Sequence, residues 1–264
     1  MDWTSIPPLT LALLCFLIFL AGFVDSIAGG GGLLSIPAYL MAGLPPHLAA
    51  GTNKLSASLG TTVSTIRYFR HGRVHLAAAA TSAALAFPGS FLGSKAALAL
   101  PSEGFRAALL VMIPVAAVLV LTRKNGDDAE DRREPKIHGF RLWFLCGAIG
   151  LTIGFYDGFF GPGAGTFLLM LHSLVLGFGL RTASGNAKVV NLSSNYAAFA
   201  VFLAAGQILW VPGLAAGACG IAGNWLGSGI AIRKGAKAIK PVFALVLVML
   251  FAKVVYDALT KAVG

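Results

Sequence analysis

Two lysines stand at the edges of long stretches that carry no other charge. Lys54 follows the charge-free run 26–53, and Lys188 precedes the charge-free run 189–232. An ammonium inside an apolar helix is costly unless it faces a bundle interior or a water-filled cavity. Each lysine is therefore a candidate for holding an anion. Asn53, Asn186, Asn191 and Asn195 accompany them. On a helix Lys188, Asn191 and Asn195 fall at i, i+3 and i+7 and share one face. The plainer alternative is that the lysines snorkel to an interface and the amides join helices.

Two aspartates each precede a glycine cluster. Asp25 leads to Gly29, Gly30, Gly31 and Gly32, and Asp157 to Gly161, Pro162, Gly163 and Gly165. Glycine costs a helix interior about 1 kcal/mol relative to alanine. The clusters therefore read as breaks, which free backbone N–H groups at the start of a short helix and so favour anions. Surface turns or close helix packing are the alternative. Asp25 and Asp157 are candidates to neutralise the lysines or to take up a coupling ion, a proton or Na+. A simple interfacial cap is the bland reading of both.

Other chemistry finds little support. His47, His71, His75, His138 and His172 show no ligand spacing, so neither a metal nor another cofactor is expected. Ala183-Ser184-Gly185 faintly suggests a nucleophilic serine, but no histidine follows His172, and such a serine needs a base within reach. No catalytic residue is assigned. Cys15, Cys146 and Cys219 each stand alone in an apolar stretch and read as small packing residues.

The elements that position these groups are membrane helices. Of 264 residues 57% are apolar and only 11% charged, against about 25% charged in soluble domains. The mean hydropathy is +0.81. A soluble globule of this size has too little polar surface for such a composition, which excludes a soluble enzyme and a disordered chain. The apolar runs are uniform rather than alternating, so they read as helices and not as outer-membrane strands. The first basic residue is Lys54, so the N-terminus lacks the basic region of a signal peptide, and 9–28 reads as a first permanent helix. The net charge of +10 is not a nucleic-acid footprint, because the basic residues sit in short loops between apolar runs.

The sequence is written twice. Gly22-Phe23-Val24-Asp25 returns as Gly154-Phe155-Tyr156-Asp157, and Gly89-Ser90-Phe91-Leu92-Gly93-Ser94 as Gly223-Asn224-Trp225-Leu226-Gly227-Ser228, at offsets of 132 and 134 residues. Thr52-Asn53-Lys54-Leu55 is echoed by Asn186-Ala187-Lys188-Val189. The first repeat spans 9–122 and the second 142–259, joined by a charged linker at 123–141. The fold class expected is an all-α polytopic membrane protein with about eight full-length transmembrane helices, at 9–28, 48–70, 76–98, 105–122, 142–160, 185–204, 212–232 and 241–259. Two short broken or re-entrant helices fall at 33–43 and 164–177. Equivalent loops exchange charge. Arg67, Arg70 and Arg73 face a chargeless counterpart at 206–210, and Pro101-Ser102-Glu103 faces Arg233, Lys234, Lys237 and Lys240. By the positive-inside rule the repeats are inverted, the linker is cytoplasmic and both termini are periplasmic.

Three motifs carry a family resemblance: Asp25 with the Gly29–Gly32 run, Gly51-Thr52-Asn53-Lys54-Leu55, and Asp157-Gly158-Phe159-Phe160-Gly161-Pro162-Gly163. Over nearly its whole length the chain resembles the sulfite exporter TauE/SafE family. The resemblance implies transport, mostly export, of sulfite, sulfonates and related small organic or sulfur anions across the bacterial inner membrane. The residues themselves point to a secondary transporter with its site at the repeat interface, near the midplane. Anion channel and carrier of a small carboxylate are the alternatives. The expected partners are a small anion, the lipid bilayer and a coupling proton or Na+, with a homodimer admitted and no nucleic acid.

Overall fold

The computed structural model describes residues 7–121 and 133–234, with side chains of the fifth helix described to 116. Among these residues the chain is helical throughout, without strands. Helix α1 is Pro8–Ala28, α2 Gly32–Met41, α3 Pro46–Arg70, α4 Leu76–Ala99 and α5 Ser102–Leu121. Then come α6 Gly139–Phe159, α7 Ala164–Met170 with a π turn at Leu171–Val175, α8 Leu180–Ala204 and α9 Trp210–Lys234. These account for nine of the ten expected segments, and the tenth, 241–259, lies outside the described residues. Proline opens α1 and α3 at the first helical turn, where its missing N–H costs nothing.

Four of these helices are clear apolar spans: α1, α4, α6 and α9. That is fewer than the eight expected, of which 241–259 lies outside the described residues and α5 (105–122) has side chains described only to 116; for α3 and α8 the physical reason is visible. Both have 25 residues, length enough to cross. They bury Lys54 and Lys188, together with a run of Ser, Thr and Asn, and this lowers their apolarity. Both also begin earlier than their apolarity suggests. Helix α8 starts at Leu180, after the break at Gly177 (φ 81°). Each lysine is thus two turns inside its helix rather than at its start.

The apolar spans pack crosswise along the chain. Helix α1 lies against α9, and α4 against α6. Small residues let the backbones meet in both pairs. A Cβ at Gly93 would sit 2.1 Å from the Phe155 carbonyl oxygen, and one at Gly154 would sit 2.6 Å from that of Ala86. In the other pair a Cβ at Gly227 would lie 2.2 Å from the Phe23 carbonyl, and one at Gly22 would lie 2.6 Å from that of Gly220. The polar helices α3 and α8 pack on each other, α3 also on the α1–α9 pair and α8 on the α4–α6 pair, which holds their buried side chains between the two crossed contacts.

Two loops are seated on these polar helices in the same way. The Leu209 N–H donates to Thr52 Oγ1 at 3.0 Å, and the His75 N–H donates to Asn186 Oδ1 at 2.8 Å. Alongside, the Gln207 carbonyl oxygen lies 1.9 Å from where a Cβ at Gly51 would be, and the Arg73 carbonyl oxygen lies 1.8 Å from a Cβ at Gly185. Thr52 and Asn186 thus satisfy N–H groups at the entries to α9 and α4, which have no intrahelical partner.

Candidate anion site

The two lysines find the two aspartates across the molecule. Lys54 Nζ on α3 donates to Asp157 Oδ1 at the end of α6, at 2.9 Å, and to Asn195 Oδ1 on α8 at 3.0 Å. Lys188 Nζ on α8 donates to Asp25 Oδ2 at the end of α1, at 2.5 Å. The first pair is sealed, with side-chain exposures of 5% and 3%; in the second, Lys188 is at 2% and Asp25 at 16%. Burial of a charged pair is tolerated when further hydrogen bonds complete it. Asp157 Oδ2 also accepts from Asn191 Nδ2 at 3.2 Å and from the Ser194 hydroxyl. Asp25 Oδ1 accepts from the Gly31 N–H at 3.1 Å.

The glycine clusters meet at the same place. Gly29 (φ 72°) would carry a Cβ 2.2 Å from the Gly165 carbonyl carbon, and Gly32 one 3.2 Å from the Gly161 carbonyl oxygen. The backbones touch because neither side has a side chain there. Gly31 and Gly163 flank the short helices α2 and α7 as their N-caps, and Gly163 has φ 80°, a left-handed conformation that glycine adopts without strain. Thr166 Oγ1 donates to the Ala28 carbonyl at 2.9 Å and so joins the two breaks.

A cavity of about 50 Å³ opens beside this junction, room for on the order of four water molecules. Of the residues the sequence singles out, Asp25, Gly30, Gly31, Gly32, Asn53 and Lys54 line it from the first half. Asp157, Gly161, Gly165, Asn191 and Asn195 line it from the second. Four do not. Gly29 and Gly163 serve the breaks themselves, Asn186 accepts the His75 N–H, and Lys188 lies behind Asp25. The expected shared face of Lys188, Asn191 and Asn195 divides accordingly. The lysine serves Asp25 and the two asparagines serve the Lys54–Asp157 pair.

Sequence reasoning overlooked Ser194, Ser35, Ser56, Thr61 and Asn224. Ser194 bonds Asp157, and the other four line the cavity. Asn224 was visible as the residue aligned with Ser90 in the repeated glycine motif, a polar side chain in an otherwise apolar span. Its Nδ2 donates to the Gly220 carbonyl at 3.0 Å, and its buried Oδ1 has no hydrogen-bond partner. The Asn53 Oδ1 is likewise buried and unpartnered. An unpartnered buried oxygen costs about 1–3 kcal/mol and marks a place where a donor is wanted.

Comparison with known proteins finds relatives over nearly the whole chain. The sequence profile described as Sulfite exporter TauE/SafE matches residues 14–254. The chain is 39% identical over 249 residues to the probable membrane transporter protein ORF9 of Sinorhizobium sp, an alignment covering 94% of this chain and 93% of that protein. It is 39% identical over 250 residues to a probable membrane transporter protein of Haemophilus influenzae, covering 94% and 95%. It is 35% identical over 254 residues to the probable membrane transporter protein YfcA of Escherichia coli K12, covering 96% and 92%. No solved structure matches the chain.

Proposed function

The chain belongs to the sulfite exporter TauE/SafE family of membrane proteins, and from that premise we propose that it is a secondary transporter of a small anion, most simply an exporter of sulfite, a sulfonate or a related oxyanion. The observation that carries this reading is the pair of buried lysine–aspartate bridges crossing between the two halves beside one small polar cavity. Beside the cavity, Lys54 offers an ammonium to an anionic cargo, and Asp25 offers a carboxylate that a coupling ion can neutralise. An anion bound next to that carboxylate favours its neutralisation, and uptake of a proton or Na+ there couples ion and cargo. Backbone N–H groups of the glycine breaks and the lysine ammonium groups are donors suited to an oxyanion.

In this reading the two repeats, 9–122 and 142–259, are inverted about the junction of the glycine breaks. Eight helices cross the bacterial inner membrane, the two short ones end within it, and both termini are periplasmic. The crosswise packing of α1 on α9 and of α4 on α6 supports this arrangement, since each repeat then lends a helix to the other. Alternating access follows as one helix pair rocks against the other around the bridges. A channel needs a continuous polar pore with several weak sites, whereas the buried charges here gather at one junction. That concentration favours a carrier over an anion channel. It leaves a small carboxylate as the second cargo class, because a carboxylate satisfies the same donors. Uptake by proteoliposomes tests the reading: a carrier gives saturable flux that a competing anion on the far side accelerates, and a channel gives neither.

A further inference from the structure

The two lysine–aspartate bridges correspond to one another in the two-repeat reading proposed above, and the inference below rests on that reading. Their surroundings differ. On α8 the positions three, six and seven residues after Lys188 hold Asn191, Ser194 and Asn195, which fill the space around Asp157 and bond to it or to Lys54. On α3 the positions three, six and seven residues after Lys54 hold Ala57, Gly60 and Thr61. The short helices repeat the contrast, with Ser35 on α2 standing where α7 has Phe167. Side chains that would complete a carboxylate shell around Asp25 are therefore absent or shortened. The cavity lies in that space, walled by Gly22, Asp25, Ser35, Ala57 and Thr61, with Asn224 reaching in from α9. A Cβ at Gly60 would meet Asn224 Nδ2 at 2.4 Å, so the missing side chain at 60 is also what admits Asn224.

The geometry points to the Asp25 half as the cargo site and to the Lys54–Asp157 bridge as its fixed anchor. The polar atoms of the vacated half define the cargo. Lys54 has three N–H donors, of which Asp157 and Asn195 take two; the third serves an anionic group. The Oδ1 atoms of Asn53 and Asn224 are buried acceptors without partners, and Asp25 adds a carboxylate. The cavity therefore takes a compact molecule with an anionic oxygen group at one end and at least one O–H or N–H donor at the other. A bare anion without a donor leaves the two amide oxygens unsatisfied, and a site built to hydrogen-bond a substrate group discriminates against an analogue lacking it.

Hydroxymethanesulfonate and methanesulfonate differ by one hydroxyl and are the probes. The full-length protein in detergent is titrated with each by calorimetry, and unliganded thermal unfolding is recorded alongside. The parent binds hydroxymethanesulfonate at least tenfold more tightly than methanesulfonate. Ala57→Asn restores the side chain found at Asn191. The variant unfolds at or above the parent temperature, because it fills the void and donates to Asp25, and it binds hydroxymethanesulfonate at least tenfold more weakly. An Ala57→Asn protein that binds as the parent does overturns the location, and one that unfolds well below the parent overturns the claim that the space is a vacated half-site. Equal affinity for the two probes overturns the donor requirement. A parent that binds neither probe overturns the cargo assignment, and the anion-carrier reading falls with it only where sulfite and acetate titrated in the same way also fail to bind.

Discussion

Replacing Lys54 by methionine keeps the length of the side chain and removes its charge. Asp157 is then left 3% exposed, with Asn191 and Ser194 as its described hydrogen-bond donors. Removing one partner of a buried ion pair costs about 3–5 kcal/mol, because the other charge is left uncompensated, whereas an exposed pair is worth about 0–1 kcal/mol. At roughly 2–4 °C per kcal/mol for a chain of this size, Lys54→Met should lower the unfolding temperature by roughly 6–20 °C. Asp157→Asn removes the other charge, and the double variant Lys54→Met/Asp157→Asn restores neutrality in the pocket. It should recover about 2 kcal/mol or more of the summed losses, within the range that coupled neighbours show. The assay is thermal unfolding of the four proteins in one detergent, read by intrinsic fluorescence. Lys188→Met should cost less than Lys54→Met, since Asp25 is 16% exposed beside the cavity and water reaches its carboxylate. A Lys54→Met protein within about 1 kcal/mol of the parent, or additive single losses in the cycle, would refute the argument that these charges are a coupled buried pair.

Gly29→Ala should sharply reduce folded yield, because a Cβ there meets the Gly165 backbone at 2.2 Å and the backbone sits at φ 72°; Gly43→Ala, with φ 88° and open space around it, pays only for the conformation, and comparing their yields in size-exclusion chromatography separates contact from strain. Asn186→Ala and Thr52→Val each leave a helix-entry N–H without its acceptor, so both should lose about 1–3 kcal/mol and expose the 71–75 and 205–209 loops to limited proteolysis, without changing anion selectivity. Reporter fusions after Gly264 and within 125–135 should report opposite compartments, the linker being cytoplasmic; a cytoplasmic C-terminus would contradict the inverted arrangement.

The residues of the site were legible because charge and helix breaking are rare in this sequence. Lys54, Lys188, Asp25 and Asp157 interrupt apolar runs, and the glycine clusters break the helices, so these groups stood out as candidates; cost alone left snorkelling and interfacial caps open, and the packing of the helices decided for burial. What could not be read was which lysine meets which aspartate. Lys54 reaches Asp157 over 103 positions and Lys188 reaches Asp25 over 163, a choice made by the crossed packing of α1 on α9 and α4 on α6. Periodicity placed Asn191 and Asn195 on one face with Lys188, yet a face spans enough arc for its members to serve different partners. Ser194 escaped because serine is common in polar helices and nothing local marks the one that touches a carboxylate, whereas Asn224 stood out as an amide in an apolar span but carries no charge to set it apart. Asn186 does not line the cavity, and its Oδ1 accepts the His75 N–H, a contact set by a loop more than a hundred positions away. Fewer spans stand out by apolarity than the eight expected for a related reason: α3 and α8 trade apolarity for the buried groups they carry.

The most direct test of the central claim is anion counterflow. Proteoliposomes holding the purified protein are preloaded with unlabelled sulfite and given radiolabelled sulfite outside, with the Lys54→Met/Asp157→Asn double variant in parallel as a folded control. The account predicts saturable entry, acceleration by internal sulfite and loss of both in the variant. Entry that rises linearly with concentration and ignores the internal anion would contradict a carrier, and entry that persists unchanged in the variant would remove the lysine–aspartate bridge from the transport path.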